Sequence, residues 1–341
     1  MKTYNLCILG FGNVGRALVS HLQAKTPELQ ERYGIEWRLT GVATRHMGWI
    51  ASPAGLDGEA LLGGQVPAGD TLGSGDVREW LAAAQADVLF ELTSTNPQTG
   101  QPAIDHLRAA LEHGAHAITA NKGALVHAYP ELHALAQERG KQFLFEATVM
   151  GGAPVFSLFR EALPAARLVR FRGLLNSTSN VVIEEIEQGK SFEEAVRKAQ
   201  ELGIAETDPS ADVDGWDAAL KVCAIATVLM DMPIRLEEVR REGIRGLSAA
   251  KVQQARAAGR PFKLVAQVER VDEGVVASVQ PEQLEPGDPL AAVTGGSMLA
   301  HFEMDMIPGL TMTLHVPDTG TVGPEVTAYD VMADFIRAVS R

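Results

Sequence analysis

Gly10-Phe11-Gly12-Asn13-Val14-Gly15 stands between an apolar strand pattern at residues 4–9 and a helical pattern at residues 14–23. In that setting the first glycine permits a tight turn, the second lets the backbone approach a pyrophosphate, and the third allows close helix packing. The same glycines also suit a plain strand-to-helix turn, but the flanking strand and helix favour a nucleotide site. Strand patterns at residues 37–43, 87–92, 115–119 and 142–145 alternate with helical patterns at 77–84, 101–113 and 129–139. Such alternation builds βαβ units. The expected fold class is therefore α/β, beginning with a Rossmann-type doubly wound parallel sheet of five strands. Residues 47–75, rich in Gly, Ala and Pro, read as an irregular excursion after the second strand.

The rhythm changes at Met150-Gly151-Gly152-Ala153-Pro154. The expected division is a dinucleotide-binding domain over residues 1–150, an α+β catalytic and dimerisation domain over 151–318, and a segment 319–341 returning to the nucleotide domain. In the second domain a strand pattern at 167–175 leads into the polar run Asn176-Ser177-Thr178-Ser179-Asn180 and a helix at 181–187. Ser191 with Glu194 forms a capping box ahead of a helix at 192–202, closed by Gly203. Strands are expected at 264–268, 275–279 and 312–314, and a closing helix at 327–339.

Acidic residues outnumber basic ones, 43 to 30, giving a net charge of −13 with no long run of either sign. This argues against nucleic acid as a partner. Residues 218–230 form the longest weakly polar run, which contains Lys221 and is shorter than the ~20 residues a bilayer span needs. No membrane association is expected. The N-terminal residues lack the apolar core of a signal peptide. Cys7 and Cys223 lie in apolar segments, too few for a disulfide framework and placed as packing residues rather than nucleophiles. A soluble cytoplasmic protein is the expectation.

Several residues are candidates for chemistry. The second strand ends in Thr44-Arg45-His46, without the acidic residue that usually holds a ribose 2′-hydroxyl; Glu36 is at the wrong end of the strand. Arg45 either pairs with a 2′-phosphate, which favours NADP over NAD, or is a solvated loop residue. Lys221 is the only charge in residues 218–230, and such a lysine is costly to bury unless it faces partners or a cleft. Asp217, four residues earlier on the same helical face, is placed to hold it; the bland alternative is a lysine snorkelling at a helix edge. Glu206, Asp208, Asp212, Asp214 and Asp217 cluster just upstream, suited either to a cationic ligand group or to a helix N-terminus. Lys122, in Ala120-Asn121-Lys122-Gly123, and Thr93 with Ser94 follow strands at the carboxyl edge, where open α/β sheets bind ligands.

Together these stretches resemble homoserine dehydrogenase, the NAD(P)-dependent enzyme linking aspartate 4-semialdehyde and homoserine in threonine and methionine biosynthesis. The resemblance rests on Gly10 to Gly15, Ala120 to Gly123, Glu146-Ala147-Thr148-Val149, Gly151 to Pro154, Gly173 to Asn180, the run from Ala205 to Lys221, and Gly320 to Asp334. The family commonly has Asn-Gly-Thr-Thr-Asn where this chain has Asn176 to Asn180, and Gly where Met150 stands. The resemblance implies Lys221 as proton donor to the aldehyde oxygen, Asp217 as its orienting partner, and Lys122 as a residue that polarises that oxygen or positions the cofactor. Glu206 and Asp212 are implied to hold the ends of a small amino-acid substrate. NADP or NAD is implied at Gly10, Phe11, Gly12, Asn13, Val14, Gly15, Arg45, Thr93, Ser94 and Lys122. A structural monovalent cation such as Na+ is implied at main-chain carbonyls of Glu146, Val149, Gly151 and Ala153. A homodimer is expected, and no ACT or aspartate kinase domain. The rival readings are another Rossmann amino-acid dehydrogenase or reductase, and a nucleotide-binding regulator without catalysis.

Overall fold

The computed structural model describes residues 1–73, 75–316 and 323–340. The chain divides into two compact units, Met1–Gly152 with Gly323–Arg341, and Ala153–Val322. The boundary expected at residues 318 and 319, and Gly320, lie outside the described residues.

In the first unit β1 (Lys2–Leu9) runs parallel to β2 (Ile35–Thr44) on one side, with α1 (Asn13–Tyr33) between them in sequence. Next come β3 (Gly48–Ala51), α2 (Gly58–Leu62), β4 (Asp70–Leu72), α3 (Val77–Ala83) and β5 (Val88–Glu91), and β5 pairs with the other side of β1. The remainder is α4 (Ala103–His113), β6 (His116–Thr119), α5 (Lys122–Glu138) and β7 (Phe143–Leu144). The strand order β4-β3-β2-β1-β5-β6-β7 reverses direction at β1. A ligand crevice is expected at the carboxyl end of that strand.

The sheet has seven strands, two more than the alternation predicts, because residues 47–75 are not irregular. They form a hairpin that adds β3 and then β4 antiparallel to the edge of β2, with Ile50 and Ala51 fully buried. Helix α1 runs ten residues beyond the predicted end at residue 23, straight through Pro27. A proline removes one helical hydrogen bond, but Leu29 on the same apolar face is buried, Thr26 donates to Leu22 O at 2.8 Å, and Gly34 closes the helix in the left-handed conformation. Helix α5 likewise begins at Lys122 rather than 129, with Pro130 inside it.

The C-terminal helix, which becomes α12 in chain order, packs into the same core, where Phe335 meets Tyr4 and Phe90 edge to face at 6.1 and 6.0 Å. Full burial of a side chain of this size contributes about 1.5–3 kcal/mol.

The second unit begins with α6 (Val155–Ser157) and a π-helical turn, then β8 (Leu168–Leu174), α7 (Ser177–Glu187), α8 (Phe192–Glu201), α9 (Ser210–Val213) and α10 (Trp216–Leu229). It continues through β9 (Arg240–Arg241), α11 (Ala249–Ala257), β10 (Phe262–Val271), β11 (Gly274–Gln283), β12 (Met298–Met304) and β13 (Leu310–Leu314), while α12 is Pro324–Val339. Its sheet has the order β13-β12-β8-β10-β11-β9 and is antiparallel except where β11 meets β9. Strand β12, which the sequence pattern does not mark, sits between β13 and β8 and is buried at five of its seven positions. The capping box of Ser191 and Glu194 forms as predicted. The polar run at Asn176 is the start of α7 rather than a loop before it, so that helix begins four residues early.

At Gly10 φ is +96°, and an added Cβ would lie 2.5 Å from Leu92 O on the neighbouring strand's exit. At Gly12 an added Cβ meets nothing within 4 Å. Gly10→Ala is therefore expected to cost about 1–3 kcal/mol in urea unfolding from backbone strain alone, whereas Gly12→Ala should stay within about 0.5 kcal/mol of the parent.

Candidate active site

The β1–α1 turn carries Gly10, Phe11, Gly12, Asn13, Val14 and Gly15. Gly10 N donates to Ala43 O at 2.9 Å, tying the turn to the end of β2, and Gly15 approaches Gly10 O so closely that a Cβ would lie 2.7 Å from it. Gly12 caps α1 without a side-chain hydrogen bond. Backbone N–H groups at a long helix's start, with open space where a Gly12 side chain would be, suit an anionic pyrophosphate. Arg45 is exposed in the β2–β3 turn, directly after the strand end that Gly10 bonds.

The exits of β5 and β6 are held by one buried carboxylate that the sequence reading missed. Glu91, the last residue of β5, is fully buried; it accepts from Thr93 N at 3.3 Å, from the Thr93 hydroxyl, and from Thr119 Oγ1 at 3.2 Å. His106 Nδ1 lies 3.5 Å away. A carboxylate ending an apolar strand was the available signal. Asn121 caps α5, accepting from Gly123 N at 3.1 Å, and its Nδ2 donates to the carbonyls of Thr93 and Ser94, both at 3.4 Å. Thr93, Ser94 and Lys122, the first residue of α5, thus belong to one cross-linked edge of the sheet.

Further along, Glu146 N donates to Asp334 Oδ2 and Gly152 N to Asp330 Oδ2, both at 2.7 Å. Glu146, Asp330 and Asp334 are all buried, with Arg337 3.7 Å from the Glu146 carboxylate and 3.0 Å from Asp334. Burial, with Glu146 and Asp334 adding to it, pushes the Asp330 carboxyl up to about 7. Among the described residues no group of three or more His, Cys, Asp or Glu is arranged to chelate a metal. A carbonyl-held monovalent ion is a different kind of site, and of the carbonyls concerned that of Ala153 already accepts from Val155 N at 2.8 Å.

In the second unit the acid-rich run is sorted by its partners. Asp208 is exposed and caps Ser210 N at 3.1 Å, which holds its carboxyl below the usual range. Asp214 pairs with Arg245 at 2.5 Å. Glu206 is exposed, and its main-chain carbonyl accepts from Gln200 at 3.1 Å. Asp217 instead pairs with Lys221, and Asp212 is joined to that pair through Asn176. The Lys221 ammonium, with 12% of its side chain exposed, lies 2.7 Å from Asp217 Oδ2 one turn back on α10 and donates to Leu175 O at 2.6 Å. Asn176 Nδ2 donates to Asp212 Oδ1 at 2.6 Å and Asp217 Oδ2 at 3.2 Å. Burial and the neighbouring Asp217 raise the Asp212 carboxyl above the ordinary range, against hydrogen bonds from Asn176 and Thr178 and the charge of Lys221. The structure thus brings Lys221, Asp217 and Asp212 together and leaves Glu206 at the surface.

Both thiols are fully buried, and desolvation pushes each up to about 12. Fully buried thiols held in the protonated form do not fit a dehydrogenase working through a cysteine nucleophile, since the thiolate is the reactive form.

Comparison with known proteins agrees with these features. Residues 10–146 match the family model described as the NAD binding domain of homoserine dehydrogenase, and residues 154–336 match that of homoserine dehydrogenase itself. An NAD(+)-dependent homoserine dehydrogenase of Pseudomonas canavaninivorans is 34% identical, over 98% of this chain and 96% of that protein. The crystal structure of a putative homoserine dehydrogenase from Archaeoglobus fulgidus superposes with a TM-score of 0.84 at 29% identity, covering 99% of both chains. A hyperthermophilic archaeal homoserine dehydrogenase in complex with NADPH gives 0.80 at 28% identity, covering 99% of this chain and 98% of that one. The chain belongs to the homoserine dehydrogenase family, NAD(P)-dependent oxidoreductases acting on a CH–OH group in threonine and methionine biosynthesis.

Proposed function

We propose that in this member of the family Lys221 is the acid–base group for the interconversion of aspartate 4-semialdehyde and homoserine. It gives a proton to the aldehyde oxygen in reduction and takes one from the homoserine hydroxyl in oxidation. The observation that supports this reading is the pinned ammonium: Asp217 at 2.7 Å and Leu175 O at 2.6 Å direct two of the three N–H bonds, and this reading gives the third to the substrate. Asp217 orients Lys221 through that contact. Asp212, with Glu206, holds the substrate's ammonium and hydroxyl ends. When bound, the nicotinamide cofactor supplies or accepts the hydride. The turn from Gly10 to Gly15 holds its pyrophosphate, Thr93 and Ser94 offer hydroxyls to it, Lys122 positions it or polarises the reacting oxygen, and Arg45 faces a 2′-phosphate if NADP is the form used.

The monovalent cation belongs to this reading as a structural ion on main-chain oxygens of Glu146, Val149, Gly151 and Ala153. The surplus of buried carboxylate over Arg337 around Glu146 suits a positive charge there. We also infer a cytoplasmic homodimer. No described helix is long and apolar enough to cross a membrane, and the second unit's sheet presents a polar, partly exposed row that includes Arg170, Gln267, His301 and Glu303. Sedimentation at micromolar protein should give twice the 36.5 kDa chain mass; an active monomer would remove the dimer from this reading.

The test is the homoserine-dependent rise of reduced cofactor absorbance at 340 nm with NAD and NADP in turn. Lys221→Ala should lower turnover by roughly 10²–10⁴-fold, the range for a lost general acid–base group, with cofactor affinity nearly unchanged. Lys221→Arg should not rescue it, because a guanidinium stays protonated at usable pH. Near-native turnover in Lys221→Ala would make Lys221 a substrate clamp.

Burial and the neighbouring Asp217 raise the Asp212 carboxyl, so its titration should govern the acid side of the pH profile. A carboxyl above its ordinary range takes up its proton at a higher pH, so its hold on a substrate ammonium weakens earlier as pH falls. The KM for homoserine should therefore rise on acidification before ordinary aspartates titrate, and Asp212→Asn should show a high KM without that limb.

A further inference from the structure

Asn176 touches both carboxylates of the second-unit site. It closes the exit of β8 and caps α7: Oδ1 accepts from Ser179 N at 2.9 Å, while Nδ2 reaches Asp212 at 2.6 Å and Asp217 at 3.2 Å. Its side chain is buried. The amide can point only this way, because a backbone N–H needs an acceptor and two carboxylates need a donor. We propose that Asn176 is a positioning residue that sets Asp212 and Asp217 at a fixed separation, and through Asp217 fixes the direction of the Lys221 ammonium.

The choice of residue supports this. Asn, Asp, Ser and Thr are the side chains that cap a helix N-terminus well, and of these only Asn combines a carbonyl acceptor with an NH₂ group that can donate twice. Asp or Ser at this position would cap α7 equally well but could not bridge two carboxylates. The neighbouring serine hydroxyls are directed elsewhere, Ser177 to Gly296 O at 2.6 Å and Ser179 to Asn176 O at 3.0 Å, while Thr178, 3.2 Å from Ile204 O, also faces Asp212. The groups facing Asp212 are Asp217 and Lys221 from α10 and Asn176 and Thr178 from α7. Asp214, at the end of Asp212's own helix, is paired with Arg245. The amide bonds both Asp212 and Asp217, and it opposes the burial and the repulsion that raise Asp212.

This inference rests on the reading of Lys221, Asp212 and Asp217 given above. Its test uses Asn176→Asp and Asn176→Ser, which keep a capping side chain and remove the double donor. Asn176→Ser should melt close to the parent, and Asn176→Asp should fold but melt lower, because a third carboxylate is buried beside two others. Their kcat/KM for homoserine should fall about 10- to 100-fold, as expected for hydrogen bonds to charged groups, with the KM for cofactor unchanged. The acid limb of kcat/KM should move to higher pH in both, further in Asn176→Asp, where a third carboxylate joins the pair. A residue that only capped α7 would leave that limb in place. Folded variants with parental kcat/KM and an unmoved acid limb would overturn the proposal. So would failure of both capping variants to fold, since Asn176 would then be a residue of the fold alone. Lys221→Ala measured alongside separates the two levels: full turnover there removes the site reading, whereas lost turnover there with parental Asn176 variants removes only the role of Asn176.

Discussion

A nearly buried ammonium is the constraint around which the second unit is arranged. Lys221 lies on a helix otherwise packed with Ala, Val, Cys, Ile and Leu, and leaving such a charge unpartnered costs about 3–5 kcal/mol. Its partners come from two places. Asp217 is supplied by α10 itself, one turn earlier, so the rotation that buries the apolar residues also sets the pair. The carbonyl of Leu175 is supplied by the exit of β8, one residue past the strand and ahead of α7, where it has no strand partner to satisfy it. The sheet, the start of α7 and α10 must therefore all be in register before the charge is satisfied.

The first unit meets a comparable constraint with backbone instead of charge. The turn at Gly10 passes so close to Leu92 that no side chain fits, which brings the exits of β1 and β5 together. Glu91 then ties Thr93 to Thr119, and Asn121 ties the carbonyls of Thr93 and Ser94 to the start of α5. Three successive strand exits become one hydrogen-bonded edge at the point where the sheet reverses direction. In both units an asparagine at a helix start, Asn121 or Asn176, caps its own helix while its NH₂ group reaches to groups outside the helix. This lets a strand exit be rigid without exposing a side chain to carry it.

Local pattern made much of this legible. The glycine spacing after an apolar strand marked the turn at Gly10, the Ser191 and Glu194 pair marked the start of α8, and the lone charge in an apolar helix marked Lys221 with Asp217. These signals lie within a few residues of one another, where helix and turn geometry fix the distances. The failures share the opposite cause. The pattern ended α1 at residue 23 and began α5 at 129, but buried faces continue past Pro27 in the one and ahead of Pro130 in the other, so both helices are longer. Residues 47–75 read as irregular because each short strand there is defined by pairing with an edge rather than by its own periodicity. The polar run from Asn176 read as a loop, although its side chains are buried against groups distant in sequence.

Two kinds of chemistry are legible along the chain, a glycine turn open to a pyrophosphate and a lysine with an acid one helical turn away, because both are matters of local spacing. Which further acid joins that pair is a matter of the fold. Of the five carboxylates within twelve positions, spacing singles out Asp217, and the other four look equivalent along the chain. Folding turned Asp208 to a helix cap and Asp214 to Arg245, and brought Asp212 and Asp217 to the amide of Asn176, 36 and 41 residues away. No spacing rule spans that distance, since it is set by how a sheet exit packs against two later helices.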